Sequence, residues 1–261
     1  MNTFKTGFIG CGNMASSIIN GMQRLQNRGE IFAYDKDSNK CKNILGMTVC
    51  KNINELVEKS QIIFLCVKPN VIPEVLSQIT DENRAFVSIA AGVTVEKIRS
   101  YLKPKSRILR IMPNTPLMVA KGAICMQYPN DLRSDESAYI TELFSSLGII
   151  EQVSGELMDS VTGVSGSGPA YVYLFIDALA KAGEANGLSK DTAQNLAIQT
   201  FEGACAMLKQ TKEIPETLIR NVCSPGGTTI EAMRVFNEHH TYEIMKEAVD
   251  ACVEKSKELS K

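Results

Sequence analysis

The pattern of short apolar runs changes near residue 155, and that change constrains the fold more than anything else in this 261-residue chain. Before it, strand-like runs alternate with helical periodicity. Strands are expected at Phe4–Ile9, Ile31–Tyr34, Ile62–Val67, Ala85–Ile89, Arg107–Met112, Gly122–Met126 and Ile149–Val153. The spacing between them predicts helices over Met14–Gln26, Ile53–Lys59, Asn70–Ile79, Val95–Tyr101 and Asp135–Leu147. Such alternation needs crossover connections, which give a parallel sheet with helices on both faces. After residue 155 the strand signals stop. Pro169 stands at a favourable N1 position for a helix with apolar residues at Tyr171, Leu174, Phe175, Ala178, Leu179 and Ala182, and Gly187 is placed to end it. Ser189 is the expected N-cap of a second helix reaching Leu208. Further helices are expected at Glu216–Val222, Thr229–Asn237 and Thr241–Leu259. The expected fold is α/β, with a doubly wound sheet over residues 1–154 and an all-helical domain over 155–261. The Ala- and Leu-rich faces of that second domain suit burial against a second copy of the chain, or against the first domain.

Composition removes several classes of function. With 28 Lys+Arg against 29 Asp+Glu the net charge is −1, which gives no global drive toward nucleic acid or an anionic membrane. The densest basic stretch, Lys103 to Arg110, reads as a solvated turn entering a strand. No apolar run reaches the ~18 residues of a membrane span. The first residues show no basic segment followed by a long apolar one. Eight cysteines include no CxxC pair, and several lie inside apolar runs such as Phe64-Leu65-Cys66-Val67. Reduced thiols fit this better than a disulfide frame or a zinc site. The expectation is a cytoplasmic protein without metal, nucleic-acid partner or membrane partner.

Gly10-Cys11-Gly12-Asn13-Met14-Ala15 stands between an expected strand and an expected helix. GxGxxA alone is weak, but here it has the context of a Rossmann-type dinucleotide loop. The first glycine allows a tight turn, the second lets backbone approach a pyrophosphate, and Ala15 keeps helix and strand close. An acidic residue for the ribose is expected about 20 residues on, and Asp35 occupies that place at the end of the second strand. A carboxylate there favours NADH and repels a 2′-phosphate. Lys36, Asn39 and Lys40 follow, however, and would hold that phosphate if Asp35 turned away. Val67-Lys68-Pro69 and Ala90-Ala91 end two further strands on the same side of the sheet, where ligands of such folds bind.

Two later glycine clusters differ in meaning. Gly163-Val164-Ser165-Gly166-Ser167-Gly168-Pro169 has no strand before it and reads as a packed helix start. Cys223-Ser224-Pro225-Gly226-Gly227-Thr228-Thr229 gathers three hydroxyls and two glycines at a helix N-terminus, which suits a carboxylate. The only histidines, His239 and His240, read as surface residues, and no Ser/His/Asp set or HExxH motif is present. Hydride transfer to a C=N bond needs little acid–base help and suits this inventory.

Gly10 to Ala15, Val67-Lys68-Pro69, Ser88 to Val93, Met112-Pro113-Asn114-Thr115-Pro116, Val164 to Tyr171 and Ser224 to Ile230 together resemble the pyrroline-5-carboxylate reductases, in the same order along the chain. The resemblance implies NADP(H)- or NAD(H)-dependent reduction of 1-pyrroline-5-carboxylate to L-proline. It implies that Thr229 is catalytic, bonding the ring nitrogen, and that Asn221, Ser224, Gly227 and Thr228 hold the substrate. The cofactor would be held by Gly10, Cys11, Gly12, Asn13, Met14, Val67 and Lys68. The resemblance further implies a homodimer made through the helical domain, often assembled into rings of dimers. Family members commonly accept NADPH, which runs against the Asp35 argument. An acidic substrate contact that some members have just before the helical domain is not matched here, since Gly155 falls near its place. The β-hydroxyacid dehydrogenases resemble the second glycine cluster through GxxGxGxxxK, but Val172 stands at the lysine position. A non-catalytic dinucleotide sensor would keep the first loop and have no need of the Ser224–Thr229 turn.

Overall fold

The computed structural model describes residues 3–25, 28–42, 44–81 and 83–260. The chain forms two compact units, one of Met1–Ser167 with Ala251–Lys261 and one of Gly168–Asp250.

The first unit is built on an eight-stranded sheet of order β3-β2-β1-β4-β5-β6-β7-β8. Its strands are β1 (Thr6–Ile9), β2 (Ile31–Tyr34), β3 (Thr48–Val49), β4 (Ile62–Leu65), β5 (Ala85–Ser88), β6 (Arg107–Met112), β7 (Gly122–Gln127) and β8 (Gly148–Val153). Its helices are α1 (Asn13–Met22), α2 (Asn39–Lys42), α3 (Ile53–Lys59), α4 (Ile72–Leu76), α5 (Val95–Arg99), α6 (Ser134–Ser145) and α7 (Met158–Val161). Strands β1, β2, β4 and β5 are buried nearly along their whole length because both faces of the sheet are covered there. Alternate residues serve opposite cores. Phe8, Phe64, Val87 and Leu109 pack on one side with Ile18 and Ile19 of α1 and Leu143 of α6. Ile9, Ile63, Phe86 and Ile108 pack on the other with Leu56 of α3 and Ile98 of α5. Phe8 and Phe64 stack with centroids 4.7 Å apart.

The expected sheet is corrected at one pair. Strands β1 to β6 are parallel neighbours, but β7 runs antiparallel to β6. The connection Pro113–Lys121 is nine residues long, shorter than the crossover of about a dozen or more residues that a parallel return needs. α6 supplies such a crossover, so β8 is again parallel to β7. Strand β3 and helix α2 carry no periodic signal at two and four residues and were not expected. Helix α1 ends at Met22, and the expected end at Gln26 lies outside the described residues. The helix expected at Asn70–Ile79 is a 3-10 turn, Pro69–Val71, followed by α4.

The second unit contains α8 (Gly168–Ala185), α9 (Lys190–Thr211), α10 (Pro215–Val222), α11 (Thr228–Glu238) and the start of α12 (Thr241–Ser260). Helix α8 begins at Gly168, so Pro169 holds its second position rather than its first. It ends in a Schellman motif, with Leu188 N–H on Gly183 O and Gly187 N–H on Glu184 O. Ser189 caps α9 by accepting from Thr192 N–H. The buried apolar core of this unit is small, made of Ala180, Ala193 and Ala197 with Ile176 against them. Leu174, Leu196, Phe236 and Ile244 are exposed.

Candidate functional site

Strand β1 pairs with β2 on one side and β4 on the other, so the strand order reverses there and a crevice opens at the carboxyl ends. Gly10 follows β1 at φ +98°, and a Cβ on it would lie 2.7 Å from Cys66 O, so only glycine fits. A Cβ on Gly12 would meet nothing within 4 Å and would project into the open crevice. Gly12 is the N-cap of α1 and supplies no side-chain hydrogen bond, and no acidic residue lies in the first turn. The first N–H groups of the helix are therefore free to bind an anion. Gly10, Gly12, Asp35, Val67 and Lys68 line one cavity of about 400 Å³. These features fit a dinucleotide with its pyrophosphate at α1.

The remaining residues expected around the cofactor are more spread. Cys11 is buried, Asn13 and Met14 open α1, and Pro69 opens the 3-10 turn behind Lys68. Ala90 belongs to the core, and neither it nor Ala91 lines the cavity. Sequence reasoning missed Glu74 and Gln78, which also line the cavity. Their i,i+4 spacing on the polar side of the segment after Lys68 was the available signal.

Asp35 is held from two sides. Its Oδ2 accepts the Cys11 N–H at 2.8 Å and its Oδ1 accepts the Asp37 N–H at 2.9 Å. Lys40 Nζ lies 3.7 Å from Oδ1. Below the loop, the thiols of Cys11 and Cys41 face each other at 2.8 Å, and burial together with that neighbour pushes the Cys11 thiol above its ordinary range.

Arg110 corrects the reading of the basic stretch as solvated. It is 3% exposed and sits 3.5 Å from Asp159 Oδ1, an oxygen that also accepts from Ser256 Oγ at 2.7 Å. Its position facing inward from β6 sets it apart from Lys103 and Lys105 in the preceding turn. Asn114 fastens the glycine cluster, with Nδ2 donating to Ser165 O at 3.0 Å and Oδ1 accepting Ala123 N–H at 2.9 Å. The cluster itself contains a π-helical turn, Thr162–Gly166.

In the second unit, Ser224 to Gly227 form a tight turn closed by Gly227 N–H on Ser224 O at 3.0 Å. Pro225 and Gly226, the latter at φ +71°, supply type II turn chemistry. Gly227 is the N-cap of α11 and no side chain caps the helix, so the hydroxyls of this turn are not spent on capping. Neither the Thr228 nor the Thr229 hydroxyl has a hydrogen-bond partner among the described residues. Asn221, at the end of α10, and Thr229 line one largely apolar cavity of about 490 Å³. His239 and His240 are exposed.

A switch-point crevice with an uncapped glycine loop, joined in one chain to a helical unit, defines a Rossmann-type dinucleotide-dependent oxidoreductase. Residues 5–92 match the family model described as NADP oxidoreductase coenzyme F420-dependent, and residues 155–259 match pyrroline-5-carboxylate reductase dimerisation. The chain is 39% identical to the pyrroline-5-carboxylate reductase of Escherichia coli over 98% of both chains. It superposes with a TM-score of 0.90 on the Plasmodium falciparum pyrroline carboxylate reductase solved with NADP bound, at 31% identity over 99% of this chain and 98% of that one. The Coxiella burnetii enzyme gives a TM-score of 0.89 at 33% identity over all of both chains. The chain belongs to the pyrroline-5-carboxylate reductase family.

Proposed function

We propose that the protein reduces 1-pyrroline-5-carboxylate to L-proline with NADH or NADPH, the last step of proline biosynthesis. The observation that carries this reading is the uncapped N-terminus of α11, a helix start with two unpartnered hydroxyls beside a glycine turn. A small cyclic carboxylate matches that site. Ser224, Gly227 and Thr228 hold the carboxylate at the positive end of the helix, with the Thr228 N–H as the first free donor, because the Gly227 N–H closes the turn on Ser224 O. Asn221, which shares a cavity with Thr229, contacts the same ligand. The Thr229 hydroxyl bonds the ring nitrogen and orients the C=N bond. A protonated imine is already electrophilic, so no buried general base is required.

When bound, the reduced nicotinamide supplies the hydride to C5 of the ring. Gly10, Cys11, Gly12, Asn13 and Met14 form the cofactor loop, with the pyrophosphate on the free N–H groups of the first turn of α1 and the ribose on Asp35, which the Cys11 N–H holds in place. Val67, Lys68 and Pro69, with Ala90 and Ala91 at the end of β5, complete the cofactor-side assignment. Residues 1–154 serve the dinucleotide, and residues 155–261 serve dimerisation and substrate.

The exposed apolar side chains of α8, α9, α11 and α12, against so small an internal core, support a homodimer through the helical unit. Light scattering reads the mass of that dimer, or of a ring of dimers, directly. No described helix is long and apolar enough to cross a membrane, and eight free cysteines accord with the reducing cytoplasm. The test is incubation of the purified protein with the cyclic imine and each reduced cofactor. Formation of proline with at least one of them is expected, and no proline with either would defeat the proposal.

A further inference from the structure

We infer that this protein selects NADH over NADPH and that Asp35 sets the choice. The inference rests on the proposed dinucleotide site and goes beyond it to the cofactor's identity. Sequence alone leaves the matter open, because Lys36 and Lys40 would suit a 2′-phosphate if the carboxylate of Asp35 swung aside. The geometry removes that possibility. The two carboxylate oxygens are tied to different backbone amides, Oδ2 to Cys11 in the glycine loop and Oδ1 to Asp37 in the turn after β2. Rotating the side chain would break both bonds and leave the Cys11 N–H without its acceptor, next to a side chain that is itself buried.

The Asp35 side chain is 12% exposed, so its charge is only partly screened. A carboxylate offers about four lone-pair positions. Two are taken by the amides, and those left over can accept hydrogen bonds from ribose hydroxyls. A 2′-phosphate offers no such donor and brings like charge against a fixed anion. The cations nearby do not cancel this. Lys40 already lies 3.7 Å from Asp35 Oδ1 and is half exposed, and Lys36 is exposed without an ion pair among the described residues. Glu74 adds a second negative charge to the lining of the same cavity.

The experiment is equilibrium binding of NADH and of NADPH to the full-length protein, followed by nicotinamide fluorescence with no imine present. NADPH is expected to bind about tenfold or more weakly than NADH. Asp35→Asn keeps an acceptor for the Cys11 amide while removing the charge, and it is expected to close most of that gap. Lys40→Gln is expected to leave the wild-type ratio within about threefold. Equal or tighter binding of NADPH by the wild type overturns the inference whether or not the variants fold. So does an unchanged ratio in a folded Asp35→Asn protein. Binding of neither nucleotide would instead overturn the dinucleotide site on which the inference stands.

Discussion

Arg110 of β6 and Asp159 of α7 meet inside the sheet-bearing unit, with Nη2 and Oδ1 3.5 Å apart and the guanidinium almost wholly out of water. Desolvation lowers the Arg110 pKa, and Asp159 offsets part of that shift. Removing one member of a buried pair strands the other charge. Asp159→Asn is expected to cost about 3–5 kcal/mol of unfolding free energy. Ser256→Ala, which takes away only the second hydrogen bond to Asp159, is expected to cost about 1 kcal/mol. Urea denaturation monitored by circular dichroism distinguishes the two. Equal small losses would show that the pair is not stabilising.

Gly10 tests the loop. A Cβ there meets the Cys66 carbonyl at 2.7 Å, and φ is +98°. Gly10→Ala is expected to store about 1–3 kcal/mol of backbone strain and to weaken NADH binding, read as loss of nicotinamide fluorescence enhancement. Binding as tight as wild type would mean that the loop does not approach the cofactor.

The buried thiols give a pH dependence with a definite sign. Burial raises the thiol pKa of Cys11, Cys50, Cys66 and Cys125 above the ordinary 9.0. The unfolded chain releases these protons near the ordinary value, whereas the folded chain keeps them. Stability is therefore full below that value and falls as pH rises toward the folded-state values. Tm is expected to drop between about pH 8 and about pH 10, and less so in Cys125→Ala. Iodoacetamide should modify Cys125 in urea far faster than in the native protein. Equal rates would contradict its burial.

Thr229 carries the proposed hydrogen bond to the ring nitrogen. Thr229→Ala is expected to lower kcat/KM for the cyclic imine by about 10², with Thr229→Ser restoring most of it. Undiminished turnover in the alanine variant would take Thr229 out of that role.

Much of this was legible in the sequence, for reasons that differ from element to element. β2 and α3 fall on their expected bounds because Ile31–Tyr34 is a bare apolar run and Asn52 caps Ile53–Lys59 by accepting from Glu55 N–H. Ser189 likewise announced α9. The reversal of β7 was not legible, since it depends on the reach of the chain between Met112 and Gly122 and not on periodicity. β3 is too short to show alternation. Arg110 looked like its neighbours Lys103 and Lys105, and only the partner Asp159, 49 positions away, explains its burial. At the candidate site the glycines and hydroxyls could be read directly. The two amides that pin Asp35 could not, because backbone donors leave no mark in a sequence.

The central claim is that a hydride passes from a dinucleotide to C5 of a cyclic imino acid on this chain. Its most direct measurement uses NADH and, in parallel, NADPH, each carrying deuterium at the transferable nicotinamide position, with 1-pyrroline-5-carboxylate as acceptor and mass spectrometry of the product from both. Proline with one deuterium at C5 is the expected result. Oxidation of the cofactor without deuterium at that carbon, or no proline at all, would contradict the account.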